Sequence, residues 1–198
     1  MARASGSTPF LTPMNPLNRR SFVQLALSTA PLALLGATPN TPAAGSPVVG
    51  AGRDREGVQP RPRQFKVLTK ETGGALFVME MVRTAKGGPD RHLHHEQDEL
   101  FYVLEGEFLF EIGSGRFRLK TGDCVLGPRG VPHAYLFLGN ETGRLLISYA
   151  PAGKMEAYFE QFTGVRRPPP DTPQAAEARK AASYADYGMK YLGPPLTE

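Results

Sequence analysis

At 198 residues, 40% hydrophobic and 21% charged, the chain is long enough for one domain with its own core and too mixed in composition for a fibrous or disordered protein. Its formal charge of +4 does not mark a nucleic-acid binder: Arg3, Arg19 and Arg20 lie in residues 1–44, which hold no acid, and the other 20 basic residues are matched by 19 acidic ones. The lone cysteine, Cys124, excludes an intrachain disulfide, and its apolar setting in "CVLGP" predicts a small buried core residue.

In "NRRSFVQLALSTAPLALLGATPNTPAAGSP" the basic pair Arg19-Arg20 is followed by an apolar run from Phe22 to about Ala37, then by small residues and prolines. The run is short for a membrane span and is broken by Pro31. This order resembles a twin-arginine export signal over residues 1–44; an ordinary secretory signal or an uncleaved anchor are the alternatives. The expectation is a periplasmic or secreted bacterial protein with no stable membrane insertion after processing. Residues 45–63, rich in Gly, Pro and Arg, read as a flexible linker.

Residues 64–152 are a series of short β-type runs: "QFKVLTK", "ALFVMEMVRT", "ELFYVLEG", "EFLFEIG", "RFRLK", "DCVLGP", "HAYLFLG" and "RLLISYA". Gly, Pro and Asp separate them, and no long helix intervenes, which predicts an all-β antiparallel sandwich or barrel. From 153 to 198 the pattern changes. "GKMEAYFEQFTG" and "TPQAAEARKAASYADYG" read as helices, the second capped by Thr172 with Pro173 in its first turn. "RRPPPDTP" between them reads as a rigid linker. The last stretch reads as a strap on the outside of the barrel.

The chemistry concentrates in "HLHHEQDE", residues 92–99, which holds three of the four histidines. Alternate residues of a strand face one side, so His92 and His94 point together and His95 points away. Glu99 opens the next strand and can turn back toward the pair, and His133 opens the strand after "GPRGVP". Three imidazoles and a carboxylate suit one borderline divalent ion: Mn, Fe, Co, Ni, Cu or Zn. The alternative is a polar surface loop with an unrelated histidine. If Glu99 and His133 face inward, then Phe101, Tyr135 and Phe137 do too, with Met79 and Met81 beside them. They line either an aromatic cavity over the metal or simply an apolar core.

At these residues the chain resembles the cupin superfamily. Gly87, His92-Leu93-His94, Glu99 and Gly106 follow its first motif, with Gly87 one position off the usual spacing and six residues between Glu99 and Gly106. Gly122, Pro128-Arg129-Gly130 and His133 follow its second, in which Phe137 replaces the usual final asparagine. The resemblance implies a jelly-roll barrel with C-terminal helices and a metal held by His92, His94, Glu99 and His133. The tail "YADYGMKYLGPPL" resembles those of small quercetin-dioxygenase-like cupins. A metal-dependent oxidoreductase is therefore expected, a dioxygenase acting on an aromatic, flavonol-like small molecule. Glu99 would serve as ligand and proton acceptor, and Tyr135, Phe137 and Phe101 would contact substrate. The alternatives are a non-catalytic exported cupin that binds a ligand or metal, or a metal-assisted isomerase or decarboxylase. The resemblance also makes a homodimer the expected assembly.

Overall fold

A computed structural model describes residues 47–55, 63–161 and 172–198. The export signal, residues 45–46 and 56–62 of the linker, and the proline-rich segment 162–171 lie outside the described residues. Ten strands are present among the described residues: β1 Arg63–Val67, β2 Phe77–Arg83, β3 Asp90–His94, β4 Asp98–Glu105, β5 Glu107–Ile112, β6 Gly115–Lys120, β7 Cys124–Gly127, β8 His133–Phe137, β9 Gly143–Ala150 and β10 Met189–Pro195. The helices are α1 Met155–Glu160 and α2 Pro173–Asp186. Thr172 caps α2 through its hydroxyl, which accepts from the Ala175 N–H, and Pro173 stands in the first turn as expected.

The strands form two five-stranded sheets, in the orders β1-β2-β9-β4-β7 and β10-β3-β8-β5-β6, and every pairing is antiparallel. This is the all-β jelly-roll arrangement expected, with the helices following the barrel. Large side chains from both sheets meet between them: Phe65, Phe77, Phe101, Phe108, Phe110 and Phe137 are all almost fully buried. Strand alternation sets which residues they are. In β4, Glu99, Phe101 and Val103 point in and Leu100 and Tyr102 point out. β8 is buried along its whole length, because Leu109, Ala134, Leu136 and Leu196 form a second small cluster on the opposite side from Tyr135 and Phe137. The tail that supplies Leu196 also supplies β10, which pairs with β3, so the expected strap is a strand of the second sheet.

Two expectations, on Cys124 and on the linker, need correction. Cys124 is exposed: in β7 the inward parity falls on Val125 and Gly127, so the cysteine opposes Tyr102 on the outside of an edge strand. An apolar run identifies a strand but not which of its two faces is buried. The helix expected over 153–164 is present as α1, Met155–Glu160, and residues 162–164 lie outside the described residues. Finally, the linker expected over 45–63 is tied down before it ends. The Asp54 carboxylate accepts from the Phe65 N–H at 2.7 Å, the Arg55 N–H donates to the Phe65 carbonyl at 2.7 Å, and Arg55 pairs with Glu71.

Candidate metal centre

Strand register brings the four candidate ligands together. His92 and His133 are directly opposed in neighbouring strands β3 and β8, and His94 lies two residues along β3 on the same face. Glu99 comes from the other sheet, where it lies between Tyr149 of β9 and Gly127 of β7. Gly127 packs tightly against the His133 ring. A Cβ on it would lie 3.1–3.3 Å from three ring atoms of His133. All four residues are buried, and one ligand atom from each falls within 4.8 Å of the others. Bonds of about 2.0–2.2 Å to one ion put ligand atoms up to about 4.4 Å apart, so the spread is close to what one ion requires.

The hydrogen bonds aim the imidazoles. His92 Nδ1 is 2.7 Å from the Asp90 carbonyl and His133 Nδ1 is 2.9 Å from the Val131 carbonyl. A carbonyl only accepts, so in both rings Nδ1 carries the proton it donates, and Nε2 is turned to the centre. His133 Nε2 lies 2.9 Å and His92 Nε2 3.9 Å from Glu99 Oε2. His94 Nε2 is 3.0 Å from the same oxygen but off the line a hydrogen bond needs, and neither nitrogen of that fully buried ring has a hydrogen-bond partner among the described residues. The other carboxylate oxygen, Oε1, accepts from the Tyr149 hydroxyl at 2.7 Å. A buried carboxylate ringed by three imidazole nitrogens, one without a partner, is costly as a structural device and well matched to a cation. The cluster suits a single metal ion.

Burial and charge set the protonation of the metal-free cluster. Burial, with His133 close by, lowers the pKa of His92 from 6.5 to about 3, so it stays neutral and able to ligate. Burial alone would raise Glu99, but its contacts with His133 and His94 outweigh this and hold it below the usual carboxylate range. For His133, burial opposes a proton, but the hydrogen bond and charge of Glu99 prevail and raise its pKa above 6.5. A metal must therefore displace a proton from His133. At pH 6.5 most molecules carry that proton, so calorimetry in buffers of different ionisation enthalpy should record proton release on metal binding. The release should fade, and the apparent affinity should rise, as the pH passes through the raised pKa of His133. Proton uptake, or no change in affinity with pH, would count against this arrangement.

A cavity of about 230 Å³ adjoins the cluster, and His92 and Glu99 form part of its wall. Tyr135 lines it, as expected from the sequence. Phe101 and Phe137 do not. Phe101 packs on the rings of Phe110, Tyr135 and His133, and Phe137 packs on Phe108 with ring centroids 5.1 Å apart. Phe137 fills space left by glycine; a Cβ on Gly143 would lie 2.4 Å from its ring. Parity puts both phenylalanines inside the barrel, but depth along the barrel decides between core and cavity. His95 is exposed, as its parity predicts.

Several wall residues were not legible as site residues. Tyr149 reaches Glu99 only through the β4–β9 pairing. Tyr184 of α2 lies 5.4 Å from the His92 ring, and Tyr158 lies 5.9 Å from Tyr184. The aromatic content of the tail was the only signal for Tyr184, and Tyr158 in α1 carried none. Tyr149→Phe should lower metal affinity by roughly 10–100-fold, the usual range for losing a group that orients a ligand. Competition with a chelator measures this, and unchanged affinity would remove Tyr149 from the account.

Residues 78–149 match the family described as Cupin domain. An uncharacterized protein of Methanocaldococcus jannaschii is 34% identical over 61 residues, 30% of this chain and 49% of that protein. The quercetin 2,3-dioxygenase of Bacillus subtilis is 27% identical over 120 residues, 57% of this chain and 35% of that protein. The chain thus spans about half or less of the length of these curated relatives. A crystal structure of a predicted oxalate decarboxylase from Thermotoga maritima superposes with a TM-score of 0.43 at 19% identity, over 45% of this chain and 78% of that one.

Proposed function

Because this chain belongs to the cupin superfamily, we propose that it is a metal-dependent oxidoreductase, a dioxygenase whose substrate is an aromatic small molecule bound beside His92 and Glu99. One observation carries the reading: the convergent cluster opens, through His92 and Glu99, into a cavity whose wall combines tyrosine, methionine and isoleucine with Arg63, Arg83 and Asp90. The partial likeness to a quercetin dioxygenase supports the reaction class.

His92, His94, Glu99 and His133 would hold the ion. When bound it would supply a redox centre and would acidify a substrate hydroxyl. The protein does the rest. His94 and His133 lie behind the cavity wall, so small molecules approach past His92 and Glu99. Glu99 accepts the substrate proton, and the Tyr149 hydroxyl on Oε1 keeps its carboxylate oriented for this. Burial raises the pKa of Tyr135 to about 12, so it stays a neutral donor that can orient a polar substituent. Met79, Met81 and Ile147 exclude water from the ring.

The test is oxygen uptake by the metal-loaded protein with a panel of flavonols and catechols. Uptake that disappears in His133→Ala is expected. Tight binding without uptake by any member of the panel would favour a non-catalytic binding protein.

We also propose that the chain is exported by the route its Arg19-Arg20 pair resembles. Replacing both with lysine should leave the full chain in the cytoplasm; unchanged export would refute this.

A further inference from the structure

The cavity is more positive than an apolar ring requires. Arg63 at the start of β1 and Arg83 at the end of β2 both line it. Its acids are already engaged, Glu99 within the cluster and Asp90 with Lys180 at 2.7 Å. The Arg63 guanidinium lies over the Phe159 ring, 5.4 Å from its centroid. Arg83 is different: it is half-buried and has no ion pair or hydrogen bond among the described residues. A Cβ on Gly87, where φ is +140°, would lie 2.6 Å from Arg83 Nη2, so the guanidinium lies against the bare backbone of Gly87. A half-buried guanidinium without an acid is a ready partner for a carboxylate, which it can grip with two parallel hydrogen bonds.

Size narrows the ligand further. A cavity of about 150 Å³ holds one benzene. The present cavity, about 230 Å³ and open to solvent, encloses one ring with a few substituents, and the further rings of a flavonol would lie outside it.

We propose that the cavity binds a single-ring aromatic carboxylic acid, with its carboxylate on Arg83 and its other polar end toward His92 and Glu99. This rests on the preceding reading only in placing the ligand in the same cavity, and it narrows the substrate class from flavonols to aromatic acids. Arg83 acts as a binding and specificity residue. Met79, Met81 and Tyr135 cover the ring between the two polar ends.

The test is anaerobic calorimetry on the metal-loaded full chain with 3,4-dihydroxybenzoate, catechol and quercetin. The acid should bind about 10-fold or more tightly than catechol, as expected for a charge-assisted pair. That ratio should fall to near one in Arg83→Gln and recover in part in Arg83→Lys, with both variants checked by melting to be folded. The proposal is overturned by equal binding of acid and catechol, by a preference that survives in Arg83→Gln, by quercetin binding best, or by no binding of the acid. Oxygen uptake is scored separately. A charge preference without uptake sinks the dioxygenase reading and leaves the carboxylate site standing.

Discussion

Glu99→Gln should abolish stable metal binding. The substitution keeps the shape of the side chain and removes the one negative charge from a buried group of three imidazoles. Losing a residue that merely orients a ligand costs roughly 10–100-fold in affinity, and losing the anionic ligand should cost more than that. The charge also does two jobs here. Its Oε2 stands within 3.9 Å of all three Nε2 atoms, and its Oε1 takes the Tyr149 hydroxyl. The protonation of His133 should change as well. Without the Glu99 charge only the hydrogen bond to the Val131 carbonyl opposes the burial of that ring, so its pKa should fall below the raised value it holds in the wild type. Metal content after dialysis and NMR titration of the histidines check the two effects. If the Glu99→Gln variant retained a full complement of metal, the carboxylate would not be a ligand.

Gly88→Ala should be the most damaging single methyl in the fold. A Cβ there would lie 1.6 Å from the Tyr135 carbonyl oxygen and 2.8 Å from its carbonyl carbon. Both atoms are backbone of β8, the strand that carries His133 and Tyr135, so no side chain can swing aside. Overpacking usually costs about 1–3 kcal/mol, and a clash with a hydrogen-bonded strand belongs at or above the top of that range. For a chain of this size each kcal/mol lowers the melting temperature by roughly 2–4 °C, so a fall of about 6–12 °C or more is expected. Gly122→Ala is the control. Its φ of +96° penalises any side chain, but no atom stands within 4 Å of a Cβ there, so it should cost only about 1 kcal/mol. Equal melting temperatures for the two variants would contradict the close approach at Gly88.

The cluster was legible in the sequence for a physical reason. Strand parity couples His92 to His94, and a short turn stiffened by Pro128 and Pro132 delivers His133, so three ligands follow from local geometry. Glu99 needed one added premise, that β4 turns back over β3. What was not legible depends on pairing between distant strands. Tyr149 is 50 residues from the carboxylate it orients, and only the β4–β9 register brings them together. Parity likewise could not say how deep along the barrel Phe101 and Phe137 lie, so they read as cavity wall when they are core. Cys124 failed at the opposite level: its strand was right and its face was not. Arg83 carried no signal at all, because a lysine or arginine at the end of a strand is ordinary, and only the folded barrel places it in the cavity wall.

The account depends on one ion bound by groups from both sheets. A crystal of the natively purified protein, with anomalous diffraction recorded at the absorption edge of whichever metal elemental analysis finds, tests this most directly. The account predicts one peak per chain, lying between the Nε2 atoms of His92, His94 and His133 and the carboxylate of Glu99. A protein purified without metal that also fails to take up Mn, Fe, Co, Ni, Cu or Zn, or a peak elsewhere in the chain, would contradict it.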